Sequence, residues 1–137
     1  MTIQPFTSRT YLTSEDQRWI APGGISALRD ADSITLDRSA FDLVTAFPNG
    51  FLPSGLVLGK ITATGLYGPY TDAGAGGLDT AVGFLAVTVA APAGAPATAD
   101  IAAALLWHGE VVSAMLPTGH GLTAAAIVDL AAKFRFV

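Results

Sequence analysis

Cysteine is absent from the 137 residues, which excludes disulfides and thiolate metal sites and leaves the redox compartment open. Charge is scarce: 13% of the residues are charged, about half the share in an ordinary soluble domain. Positive charge is scarcest. Seven Lys and Arg face eleven Asp and Glu for a net charge of -4, and beyond residue 42 the cations are Lys60, Lys133 and Arg135. Without a basic patch to neutralise phosphates, nucleic acid is not an expected partner. An uninterrupted hydrophobic run is also missing. Ala81 to Ala99 carries no formal charge, but Gly83, Pro92, Gly94 and Pro96 break it and its hydropathy comes from Ala, so no membrane contact is expected. The opening Met1-Thr2-Ile3-Gln4-Pro5 has neither a basic leader nor a following apolar core, and no secretory signal is expected.

What is present is apolar: 51% of the chain, in a length that fits one domain. Residues 1 to 42 hold four Arg and six Asp or Glu, leaving eight charges for the other 95 residues. A body so poor in charge exposes neutral surface, and with a lipid neighbour set aside this implies subunit contacts or a large protein partner.

Residues 1 to 24 read as a polar arm, closed by the turn signal Ala21-Pro22-Gly23-Gly24. Ser33 to Leu36 reads as a short strand and Asp37 to Ala46 as a helical turn or loop. Pro48-Asn49-Gly50 and Pro53-Ser54-Gly55 are turns leading into a strand from Leu56 to Thr64. There Val57, Ile61 and Ala63 alternate with Lys60, Thr62 and Thr64, a half-buried pattern. Gly65 to Gly77 predicts a long loop anchored by Tyr67 and Tyr70. Thr80 to Val89 predicts a strand apolar on both faces, one of which another subunit could cover. Ala90 to Thr98 reads as an exposed connection. Ile101 to Trp107 and Val111 to Leu116 read as a hairpin turning at His108-Gly109-Glu110, with a short helix capped by Thr98 as the alternative for the first. Leu122 to Lys133 predicts a helix with Thr123 as N-cap and Ile127, Leu130 and Phe134 at helical spacing; Phe134 to Val137 predicts a final strand. The sum is mainly β with one helix.

Motifs that mimic chemistry fail on context. Gly119-His120-Gly121-Leu122-Thr123-Ala124 matches a dinucleotide fingerprint, but the 18 residues after Gly119 leave no room for the second strand and its acidic residue. The plainer reading is a turn into a helix cap. His108-Gly109-Glu110 matches the His-x-Glu of zinc deaminases without the Cys pair those sites need. A small hydrolase or isomerase using His108, Glu110 and His120 stays as an alternative, though nothing fixes their spacing and a buried or turn histidine accounts for each. No nucleophile elbow or P-loop is present, and Gly74-Ala75-Gly76-Gly77 lacks the Lys of a phosphate cradle. No catalytic, cofactor-binding or metal residue is assigned. The pair Trp19-Ile20 beside Arg18 reads either as a docking anchor or as local packing onto the domain's own surface.

Three segments carry a resemblance: Ala21-Pro22-Gly23-Gly24-Ile25-Ser26-Ala27, the stretch from Val57 to Tyr70, and Thr80 to Val87. With His108-Gly109-Glu110-Val111 and the terminal Phe134-Arg135-Phe136-Val137, they make the chain similar to the head-decoration proteins of tailed bacteriophages. Residues 28 to 50 and Ala90 to Thr98 depart most from that pattern. The resemblance implies a mainly β (β-rich α+β) fold, a barrel-like or β-tulip domain with one C-terminal helix and a flexible N-terminal arm. It divides the chain into an arm at 1–24 and a single trimerising domain at 25–137. It further implies a non-enzymatic homotrimer, made in the host cytoplasm and bound to the major capsid protein on the outer virion surface, at threefold and quasi-threefold positions of the expanded head. Thr10, Tyr11, Leu12, Thr13, Arg18, Trp19 and Ile20 are the candidate capsid contacts of the arm. A generic trimeric adhesion module is the remaining alternative.

Overall fold

Short apolar stretches punctuated by Gly and Pro favour short strands over long helices, and the computed structural model of the chain has that character. It describes residues 15–21, 27–92, 95–96 and 98–137. The strands are β1 (Asp32–Leu36), β2 (Phe51–Leu52), β3 (Val57–Lys60), β4 (Tyr67–Pro69), β5 (Ala81–Leu85), β6 (Val89–Ala90), β7 (Ile101–Leu106), β8 (Gly109–Val111) and β9 (Phe134–Phe136), with helix α1 (Ala124–Leu130) before the last. Five of them close into a ring in the order β1-β4-β3-β5-β7, flanked by the pairs β2-β6 and β8-β9. Within the ring the pairings are antiparallel except for one parallel bridge, Leu36 opposite Tyr67, which joins β1 to β4.

β3 and β5 form a wall between two hydrophobic clusters. Because successive side chains of a strand point to opposite faces, Val57 and Phe84 enter one cluster, with Trp19, Leu106 and Phe134, while Leu58 and Leu85 enter the other, with Leu36, Leu52 and Leu105. Both faces of β5 meet the chain's own clusters, but the predicted strand from Thr80 to Val89 ends at Leu85, and Val87, past its end, is 39% exposed. Gly83 stands in β5 for a steric reason. A Cβ at that position would run into the Leu106 carbonyl of the adjacent strand, so only Gly permits the close approach.

Several predicted boundaries differ from the observed ones. β3 stops at Lys60 rather than Thr64, because the next residues reverse the chain: Ile61 N–H donates to Leu66 C=O at 2.7 Å and Gly65 N–H to Ile61 C=O at 2.8 Å. Ala63 is thus exposed in a turn, and Val57, Leu58 and Gly59 are all buried. The predicted loop from Gly65 to Gly77 contains β4, held antiparallel to β3 from Leu58 opposite Pro69 to Lys60 opposite Tyr67. Of the predicted hairpin only Ile101–Leu106 is a strand as expected; the expected turn is itself extended as Gly109–Val111, and the expected second strand, Val111 to Leu116, gives way to a short 3-10 helix at Ser113–Met115. β7 pairs with β1 and β5, whereas β8 lies parallel to β9.

Thr123 caps α1 as expected, its Oγ1 accepting the Ala126 N–H at 3.2 Å. The helix runs seven residues, shorter than the predicted Leu122 to Lys133. Ala126 and Leu130 face the core while Ile127 turns outward. Asp129 Oδ2 accepts the Ala81 N–H at 3.0 Å and ties the helix to the start of β5. Among the described residues no helix is long and apolar enough to cross a membrane.

Candidate functional site

The residues from Glu15 to Ala21 are stitched onto the body along their length. Glu15 Oε1 accepts both the backbone N–H and the hydroxyl of Thr88 at 2.9 Å, and Gln17 Nε2 donates to Ala86 C=O at 2.8 Å. Ile20 forms an antiparallel bridge with Val111. Val112 N–H donates to Trp19 C=O at 2.7 Å, and Ala21 N–H to Glu110 C=O at 3.0 Å. Trp19 has no exposed surface. Its ring lies 5.2 Å from that of Phe84, and its indole N–H donates to Ser54 Oγ at 3.0 Å, which in turn donates to Ala86 C=O at 2.9 Å.

Of the seven candidate arm contacts, Trp19 and Ile20 therefore pack into the domain's own core, the local alternative weighed for this pair. Arg18 is exposed and pairs with Asp16 at 2.9 Å. The Arg18 hydrogen bonds hold the Asp16 carboxyl down at about 2. Thr10, Tyr11, Leu12 and Thr13 lie outside the described residues, as does most of the Ala21-Pro22-Gly23-Gly24 turn. Sequence reasoning missed Glu15, Gln17 and Ser54 as the anchors of this segment. The one available signal was that a buried indole needs a hydrogen-bond acceptor, which the turn residue Ser54 provides.

The histidines and Glu110 are engaged separately. His108 Nε2 lies 3.4 Å from Asp30 Oδ2, with the ring edge-on to Trp107 at 4.2 Å. Glu110 faces Arg135 at 3.8 Å. His120 sits between Gly119 and Gly121, both at positive φ, where the chain turns towards the Thr123 cap, and its Nδ1 accepts the Leu122 N–H at 2.8 Å. Among the described residues no group of three or more His, Asp or Glu side chains is arranged to hold a metal ion. The fingerprint-like Gly119 to Ala124 is a turn and a helix cap.

Burial holds the His120 imidazole below its ordinary 6.5, and the bond from Leu122 requires the neutral ring. The unfolded chain takes up its proton near 6.5, before the folded chain does. The stability tied to this group is thus complete above that pH and falls as the pH is lowered through it. Thermal melts between pH 7.5 and 5 are expected to show this fall in the parent and a shallower one in His120→Asn, whose amide oxygen retains the acceptor without titrating. Parallel curves for the two proteins would refute the assignment.

The outward surface of α1 is unusual for a soluble helix. Val128 is 75% and Ile127 38% exposed, and Ala124, Ala125, Ala131 and Ala132 are exposed beside them. The neighbouring charges turn to the chain itself: Asp129 to the Ala81 amide, and Lys133, whose Nζ sits 5.3 Å over the Trp107 ring.

No curated protein and no solved structure matches the chain. The family model described as bacteriophage lambda head decoration protein D matches residues 26–135, a span that takes in the whole ring, α1 and most of β9. That family is structural and not known to be enzymatic, and its members' role implies binding to the phage capsid and a place on its surface. The chain therefore belongs to the bacteriophage lambda head decoration protein D family and is a structural virion protein of phage capsid decoration.

Proposed function

We propose that the chain is a capsid-cementing protein that binds the expanded phage head as a homotrimer at threefold and quasi-threefold positions and holds it against the pressure of packaged DNA. The family match over residues 26–135 carries this reading. The mechanism is mechanical: each trimer bridges neighbouring subunits of the major capsid protein, so outward pressure has to break several contacts together. Three contacts joined in one trimer act at high effective concentration, and avidity exceeds single-site affinity by roughly 100-fold or more. Binding after expansion follows when the contact surface is assembled only from correctly spaced shell subunits.

The body's composition supports association, and α1 presents an exposed apolar surface suited to it. Copies meet there through Ile127 and Val128, and the partner-gripping part of the leading segment is what precedes Glu15. Decoration is tested by incubating the protein with expanded heads and with unexpanded precursors: binding to the first alone is expected, and indifference to both removes the reading. Val128→Glu is expected to shift the sedimenting species from three copies to one while the far-ultraviolet circular dichroism stays unchanged. A variant that remains trimeric places the contact elsewhere.

A further inference from the structure

β1 is paired unequally on its two sides. Towards β7 all five residues have partners, from Asp32 opposite Leu105 to Leu36 opposite Ile101. Towards β4 there is one, Tyr67 opposite Leu36, with the Asp37 N–H donating to the Tyr67 carbonyl at 2.7 Å. Backbone polar groups alternate sides along a strand, so the residues that face the β4 side together with Asp37 are Thr35 and Ser33. Among the described residues, the N–H and C=O of Ser33 and the N–H of Thr35 have no hydrogen-bond partner. The chain diverges there because Gly65 and Leu66 bend back to Ile61. An open groove remains, lined by Ser33, Thr35, Lys60, Gly65, Leu66 and Tyr67. Ser33 and Thr35 are exposed, and Ile34 between them is buried.

Such an edge is complementary to one kind of ligand, an extended polypeptide backbone that adds a strand. β1 has neither proline nor a register shift to prevent it, and the Lys60 ammonium is drawn over the Tyr67 ring at 5.8 Å. We propose that the β1 edge receives an extended segment of the major capsid protein, laid between β1 and Gly65–Tyr67. The polar lining distinguishes this groove from the apolar α1 surface through which copies meet. Three backbone hydrogen bonds, each worth roughly 3- to 10-fold in affinity, are too few to hold two free copies together but multiply across a trimer on a lattice. The inference rests on the cementing reading and names one of its contact surfaces.

Amide hydrogen exchange of the full chain, free and bound to expanded heads, tests it. The Ser33 and Thr35 amides are expected to exchange readily in the free protein and to slow at least 10-fold on heads. Decoration without slowing at either amide overturns the edge contact and leaves the cementing reading standing. Slowing in concentrated free protein without heads makes a second copy the occupant and equally overturns it, and failure to bind heads removes both. Ser33→Pro deletes one unpaired donor and is expected to lower head occupancy about 10-fold, whereas Ser33→Ala keeps the donor and binds as the parent does. Unchanged binding by a folded Ser33→Pro overturns the proposal, and should that variant fail to fold, the exchange result on the parent protein decides.

Discussion

Trp19→Ala is expected to destabilise the domain by about 3–5 kcal/mol, out of a total that for a single domain is about 5–15 kcal/mol. The ring is fully buried between Phe84 and Ser54. Phe84 in turn meets Phe134 edge-on at 5.1 Å, so the cavity opens at the centre of an aromatic stack joining the leading segment, β5 and β9. Trp19→Phe keeps most of the packing and loses the indole donor, at a cost of about 1–2 kcal/mol. Thermal or urea unfolding measures both. Equal, small losses in the two variants would mean that Trp19 is not a core residue, and would return it to the role of a surface anchor.

Removal of residues 1–14 is expected to abolish stable decoration of heads, with apparent affinity falling about 100-fold or more, while the Trp19 and Ile20 contacts that hold the segment to the body are kept. Removal of residues 1–20 is expected to lower the melting temperature by about 10 °C or more, because it takes away Trp19 and the Ile20–Val111 bridge. Comparing the two truncations separates gripping from folding. Full decoration by the shorter truncation would exclude these fourteen residues from the shell contact.

Local chemistry was legible in the sequence, and partner choice was not. The Thr123 cap, the final Phe134–Phe136 strand and the β1 strand follow from capping residues and alternation within a few positions. Which strands pair depends on residues far apart in the chain. The turn at His108 to Glu110 looks like a hairpin locally, yet Gly109 to Val111 run beside Phe134 to Phe136. The half-buried pattern at Leu56 to Thr64 misleads because β3 divides two clusters and is covered on both sides. At the candidate site, Trp19-Ile20 stood out for size alone. Whether such a pair is presented or buried is decided by Ser54, Phe84 and Val111, none of which lies within thirty residues of it.

The seam at Val111 bears on the proposed cementing role. Ile20 bridges Val111, while the backbone of Val111 also accepts the Val137 N–H at 2.9 Å. Were the leading segment to grip the shell as proposed, tension entering at Glu15 would pass to a strand that is itself braced by Val137. Trp19 would act as a toggle behind that seam, because the fully buried indole has to be drawn out of the interior before the segment can peel away.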